Sequence, residues 1–147
     1  MVLPAYNEQD ALEEAVQAYL KALPADGIDD FELVIVNDGS ADRTGEIADR
    51  LAGADGRVRV LHNERNLGQS ASFLRGFEHA RGRVITWNGA DLPFDPHDVK
   101  RMLERIDAGA DVVVVERTDR SAYGLKRKIV SRANVWILHL LLGSRFS

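Results

Sequence analysis

The sequence predicts an α/β fold in which a mostly parallel sheet carries helices on both faces. Three observations point there. Along the chain the hydrophobic period switches back and forth between that of a strand and that of a helix. Turn formers such as Pro24, Gly27, Gly53 and Gly68 fall at the switches. Finally, the 147 residues are 45% apolar and 29% charged, enough apolar material for one domain with a sizeable core.

Residues 1–5 are short and apolar, the end of a buried strand. Over residues 10–23, Leu12, Val16, Tyr19, Leu20 and Leu23 fall on one helical face, with Pro24 and Gly27 as stops. Residues 31–36 read as a buried strand, and 44–52 as a helix with Ile47 and Leu51 inward and Gly53 as its end. Residues 57–61 alternate as a third strand, and a loop with Asn66 and Gly68 leads into a helix over 69–80. Residues 84–87 give the fourth strand. Val99, Met102, Leu103 and Ile106 mark another helix, and the valine run in 111–115 predicts a fifth strand buried on both faces. Such alternation is the mark of βαβ units, in which a ligand sits at the carboxyl ends of the strands.

Composition closes several routes. A net charge of −4 argues against broad nucleic-acid binding, which needs a basic face. The absence of cysteine removes disulfides, thiolate metal sites and Cys nucleophiles, and fits a reducing compartment. No secretory leader pattern is visible at the start, and the longest apolar stretch, 135–142, is interrupted by His139 and too short to cross a bilayer. The histidines, His62, His79, His97 and His139, show no zinc spacing. There is no G-x-G-x-x-G, no Gly-Lys pair for a Walker A loop and no G-x-S-x-G elbow.

Three strand ends carry the informative residues. After the first strand, Pro4 is followed by Tyr6, Asn7 and Glu8. Tyr6 offers a flat face with a polar tip suited to a nucleobase or ribose; alternatively, the segment is a turn in which Glu8 favours the next helix N-terminus. After the second, Asn37 and Asp38 precede Gly39. A carboxylate there can accept from a base N–H and Asn37 can meet a ribose hydroxyl, or Asp38 and Ser40 can cap the following helix. After the fourth comes Asn88-Gly89-Ala90-Asp91-Leu92-Pro93-Phe94-Asp95-Pro96, an acidic loop that can hold a cation or cap the helix that follows.

Taken in order and with Asn66-Leu67-Gly68 between them, these motifs resemble the family 2 glycosyltransferases of the GT-A type, most nearly the dolichol-phosphate mannose synthases and related polyprenyl-phosphate glycosyltransferases. The resemblance covers nearly the whole chain and implies a Rossmann-like GT-A nucleotide-diphospho-sugar transferase fold. It implies that Pro4, Tyr6, Glu8, Asn37, Asp38 and Gly68 line a donor nucleotide site, with Asp38 reading the base. It implies a divalent cation, Mg or Mn, on an Asp-x-Asp motif followed by Gln. Here the sequence departs from the family: Asp91 is the second Asp, Gly89 stands at the first position and Pro93 at that of Gln. Asn88 and Asp95 are nearby oxygen donors that can help Asp91.

Residues 125–142 read as a helix with a basic start, Lys126-Arg127-Lys128, and an apolar end containing Trp136: either an ordinary core helix or one lying at a membrane interface. The resemblance makes Arg117, Arg127 and Ser131 contacts for an acceptor phosphate, with Asp91 and Arg117 catalytic. It places the nucleotide-binding core in 1–115 and the start of an acceptor-side region in 116–147. The implied partners are a nucleotide-diphosphate sugar, a polyprenyl (dolichyl or undecaprenyl) phosphate, a membrane surface, and a downstream membrane segment or partner subunit. The implied location is the cytoplasmic face of a membrane. A non-catalytic nucleotide-sugar-binding module, or a transferase acting on a sugar or protein hydroxyl, are the alternatives.

Overall fold

The computed structural model describes residues 1–115. In chain order they form β1 (Val2–Ala5), α1 (Leu12–Ala25), β2 (Leu33–Asn37), α2 (Thr44–Ala54), β3 (Val58–His62), α3 (Gln69–His79) and α4 (Asp98–Asp107). The three strands are parallel in the order β1-β2-β3, with Leu3 opposite Ile35 and Ile35 opposite Val60. β1 and β2 are buried throughout, as their unbroken apolar runs predict for strands covered on both sides.

The two faces are covered by different helices. On one, Leu12, Val16, Tyr19 and Leu23 of α1, Ile47, Ala48 and Leu51 of α2, and Val99 of α4 pack with Leu3, Leu33 and Ile35. On the other, Val2, Val34 and Val36 meet Phe73 of α3. Gly76 lets α3 lie against the sheet there, since a Cβ at that position would press into the Val2 side chain. The helical stripes expected at α1 and α2 are thus the buried ones. α1 ends in a Schellman turn: Ile28 N–H donates to Leu23 O at 2.9 Å and Gly27 N–H to Pro24 O at 3.0 Å, with Gly27 at φ 81°. Pro24 itself lies within the last turn of α1. Gly53, expected as a stop, also lies inside the last turn of α2. That helix stops at Asp55, whose carboxylate caps Arg57 N–H at 2.9 Å and grips its guanidinium at 2.7 Å.

Two expected strands take another form. The fourth is reduced to a parallel bridge of Trp87 to Val2, with Val2 N–H donating to Thr86 O and Asn88 N–H to Val2 O. The next residue of β1 facing that side is Pro4, which has no N–H to continue the ladder. The valines of the expected fifth strand are not in a sheet, and Val112 and Val114 are 76% and 84% exposed. Apolar periodicity reports a tendency to be buried, but a strand also needs an edge to pair with, and none among the described residues meets this segment. Arg117, Arg127, Ser131 and the helix expected over 125–142 lie outside the described residues, as does the whole of the 116–147 region.

Even as a bridge, the fourth segment settles the topology. The chain runs outward from β1 to β3, crosses by α3 on the opposite face, and returns to the other edge of β1. The direction of the sheet therefore reverses beside β1. A crevice outside the carboxyl ends of β1 and its neighbours is where such a sheet binds ligands.

Candidate active site

A pocket of about 310 Å³ opens at that crevice, lined by Pro4, Ala5, Tyr6, Glu8, Asp38, Asn66, Gly68 and Gln69. Its residues come from the loop after β1, the end of β2 and the turn into α3. Of the donor-site residues expected from sequence, Pro4, Tyr6, Glu8, Asp38 and Gly68 are brought together. Asn66 and Gln69 are additional, and the Asn66-Leu67-Gly68 motif already pointed at that turn.

The first two loops are laced together by reciprocal bonds. Asn7 N–H donates to Ser40 Oγ at 3.0 Å, and Ala41 N–H returns to Asn7 Oδ1 at 2.9 Å. Glu8 N–H donates to Thr44 Oγ1 at 2.8 Å, and Thr44 is itself anchored on Asp42. Asn7 takes a left-handed conformation, φ 55°, which Asn tolerates better than most residues. This lacing fixes Tyr6, 46% exposed, at the mouth of the pocket. The turn uses the backbone of Asn7 and Glu8 and the Asn7 amide, and leaves the Tyr6 ring lining the pocket.

Asn37 is buried and turned away from the pocket. Its Nδ2 meets His62 Nδ1 at 3.0 Å, its Oδ1 accepts from Ser40 N–H at 3.1 Å, and Gly45 closes over its amide. Asp38 is 3% exposed. Burial works to raise its pKa, but hydrogen bonds from Leu67 N–H, Asn63, Ser72 and Gly68 N–H outweigh burial and hold the carboxyl below its usual range.

The loop after Trp87 is built on Asn88. This side chain is fully buried and donates to Tyr19 Oη and, at 3.2 Å, to Phe94 O, while its Oδ1 accepts from Gly89 N–H at 3.1 Å. Burial pushes the Tyr19 phenol up to about 12, so it stays neutral across the accessible pH range. Asp95 uses Oδ1 to accept from His97 N–H at 2.9 Å at the start of α4. Between them Asp91 is exposed, beside Leu92 in a left-handed conformation at φ 47°. Strain of this kind tends to persist where a loop carries function. Glu8 has its pKa raised, first by burial and then by the negative charges of Asp91 and Asp42.

A larger hollow of about 560 Å³ lies at the other ends of the strands, among Met1, Phe31, Arg57, Arg59, Arg83 and Leu103. Three of its arginines are paired with carboxylates: Arg57 with Asp55 and Arg59 with Glu32, both at 2.7 Å, and Arg83 with Asp107 at 3.5 Å. It lies at the amino ends of the strands, away from the crevice where such a sheet binds ligands.

The family model for "Glycosyl transferase family 2" matches residues 1–145. The chain belongs to glycosyltransferase family 2. Among curated family members, an "Undecaprenyl-phosphate 4-deoxy-4-formamido-L-arabinose transferase" of Edwardsiella ictaluri is 37% identical over 129 residues, covering 87% of this chain and 39% of that protein. "Glycosyltransferase AglD" of Haloferax volcanii is 38% identical over 152 residues, covering 98% of this chain and 24% of that protein. The chain thus spans well under half the length of these relatives. Among solved structures, S. aureus TarS 1-349 aligns with a TM-score of 0.69 at 21% identity, over 84% of this chain and 36% of that one. Glucosyl-3-phosphoglycerate synthase from Mycobacterium tuberculosis aligns with a TM-score of 0.66 at 26% identity, over 99% of this chain and 52% of that one. These likenesses bear out the Rossmann-like α/β fold of GT-A type.

Proposed function

We propose that this chain binds the donor for a glycosyltransferase that moves a sugar from a nucleotide-diphosphate sugar to a polyprenyl phosphate, at the cytoplasmic face of a membrane. The observation that carries the reading is the pocket at the carboxyl ends of β1 and β2, where Pro4, Tyr6, Glu8, Asp38 and Gly68 converge. The names of the relatives support the lipid-phosphate acceptor.

In this reading Tyr6 stacks on the nucleoside and Gly68, with no Cβ, lets the backbone approach it. Asp91 faces the diphosphate. No group of three or more His, Cys, Asp and Glu side chains capable of holding an ion gathers among the described residues, so they form no closed cation cage. The donors present fit another mode, in which Mg or Mn keeps several waters and is held by one or two carboxylates together with substrate phosphates. Asp91 supplies that carboxylate, with Glu8 close enough to feel its charge. Asn88 and Asp95, whose oxygens accept from Gly89 N–H and His97 N–H, support the loop around it. A bound divalent cation neutralises charge developing on the departing nucleoside diphosphate.

On the acceptor side we assign Arg117, Arg127 and Ser131 to the lipid phosphate, Arg for its two parallel donors. A phosphate is already ionised at neutral pH and attacks the anomeric carbon without losing a proton. A dedicated carboxylate base is therefore unnecessary, unlike for a sugar hydroxyl.

The test is calorimetric titration with UDP and GDP, with and without manganese, on this chain and on Asp91→Ala. Binding strengthened by manganese and weakened at least about tenfold by Asp91→Ala, or 1.4 kcal/mol, is expected. A folded chain that binds neither nucleotide would overturn the donor reading and favour a non-catalytic module.

A further inference from the structure

His62 closes β3 with its ring set between two partners. Nδ1 lies 3.0 Å from Asn37 Nδ2, and Nε2 lies 3.0 Å from Asp49 Oδ1 on α2. Neighbouring bonds decide where the ring proton sits. Asn37 Oδ1 accepts from Ser40 N–H at 3.1 Å, which fixes the amide's orientation and leaves Nδ2 facing the ring. An amide nitrogen only donates, so Nδ1 is bare and accepts from it. The ring proton is therefore on Nε2 and donates to Asp49.

This arrangement suits a neutral His62 and not a charged one. A proton on Nδ1 sets an N–H against the Asn37 NH2. Turning the amide over to meet it sets that NH2 against Ser40 N–H instead. Either way a donor loses its acceptor. There is little room for water to replace it, since Asn37 is buried under α2. A Cβ on Gly45 of that helix would come within 2.9 Å of Asn37 Nδ2 and 3.7 Å of His62 Cε1. Among the described residues, the charged side chains that touch His62 are one of each sign. Asp49 of α2 meets the ring, and Arg75 of α3 donates to His62 O at 2.7 Å.

The network ends in the crevice. Ser40, held by Asn37, accepts from Asn7 N–H through Oγ, and Ala41 N–H returns to Asn7 Oδ1. Asn7 directly follows Tyr6, and Tyr6 and Asp38 both line the pocket.

We propose that His62 is a positioning residue: when neutral it holds the 37–41 turn, and through it Tyr6, and its protonation loosens that turn and weakens nucleotide binding. The binding half of the proposal rests on the donor-site reading above. Histidine is the side chain whose charge ordinarily changes between about pH 5 and 8, so the weakening falls in the acid part of that range. A carboxylate in place of the Asn37 amide has only acceptors, and could satisfy Ser40 N–H and a protonated Nδ1 together. Asn37→Asp should therefore cancel or invert the effect.

The experiment follows the His62 ring nitrogens and the Ser40 amide by NMR between about pH 8 and pH 5.5. UDP and GDP are titrated by calorimetry at both ends, on the unaltered chain, His62→Gln and Asn37→Asp. At the alkaline end the ring should carry its proton on Nε2 alone. The Ser40 resonance should move with the ring's midpoint, and stay still in His62→Gln. On acidification, affinity for both nucleotides should fall about fivefold more in the unaltered chain than in His62→Gln, the scale of one hydrogen bond. The nucleotide's terminal phosphate also titrates here, but equally for every chain, so the comparison removes it. In Asn37→Asp the extra fall should vanish or reverse. A proton on Nδ1 at the alkaline end, or a Ser40 resonance blind to the ring's titration, overturns the positioning role. Neither reading needs a variant to fold. An equal fall in His62→Gln overturns the link from His62 to binding. An extra fall that persists in Asn37→Asp overturns the opposed donors as its cause. If the unaltered chain binds neither nucleotide, the donor reading fails and the binding half falls with it, while the ring and Ser40 still decide the positioning role.

Discussion

The carboxylate of Asp91 stands where a side chain on Gly89 would begin. A Cβ built on residue 89 falls inside contact distance of Asp91 Oδ1 and 3.6 Å from Pro93 Cδ. Asp91 is thus bent back over the glycine that stands at the first position of the Asp-x-Asp pattern.

The obstructing atom is the far end of an exposed side chain that can rotate away, so the variant Gly89→Asp should fold. It should place two carboxylates at the crevice and cost little, less than about 1 kcal/mol as for most exposed substitutions. Two carboxylates hold a divalent cation better than one. The expected result is manganese-dependent UDP or GDP binding about tenfold tighter than in the unaltered chain, read by calorimetry. Unchanged binding would mean that Asp91 in its present pose already supplies all that the cation needs.

Gly27 and Gly39 both have positive φ, at 81° and 66°, but their surroundings differ. A Cβ on Gly27 meets nothing within 4 Å, whereas one on Gly39 runs into the Arg65 and Asn66 backbone. Gly27→Ala should cost only the left-handed strain, about 1–2 kcal/mol, and leave nucleotide binding intact. In Gly39→Ala the same strain adds to a clash that only movement of the 63–68 loop relieves. A loss of about 3 kcal/mol or more, with nucleotide binding abolished, is expected. Denaturant midpoints and titration on the two variants separate these outcomes.

That contrast shows where the sequence was legible. The apolar runs at Leu3 and Ile35 and the helical stripe from Leu12 to Leu23 announced their positions because burial imposes a period on the residues themselves. The convergence of Tyr6, Glu8 and Asp38 followed from their places after parallel strands. Other features had no such mark. That Asn37 turns toward His62, or that Asp38 accepts from Asn63, Leu67 and Gly68, depends on which way a side chain leaves the strand end. The truncated pairing at Trp87 was readable in principle, since Pro4 cannot donate to a ladder, but the valine run at 112–115 suggested a strand whose partner edge no local pattern can supply.

Glu8 gives a test of the crevice's electrostatics through pH. Its backbone is fixed by Thr44, and its carboxyl is raised above the ordinary value of 4.5 by burial and then by Asp91 and Asp42. A raised carboxyl pKa means the ionised form is disfavoured in the folded state. The penalty is complete at neutral pH, where the group is ionised whether the chain is folded or not. It fades as pH falls through the folded pKa and is gone below 4.5, where both states are protonated. Glu8→Gln keeps the shape and removes the charge. It should therefore unfold at a higher denaturant concentration than the unaltered chain at pH 7, by less than about 1 kcal/mol because solvent screens the site. That lead should vanish by about pH 4, below the unfolded carboxyl's own titration. Asp91→Ala removes one of the repelling charges and should shrink the effect of Glu8→Gln at pH 7. Equal effects with and without Asp91 would mean that burial alone, rather than a shared negative crevice, sets the ionisation of Glu8.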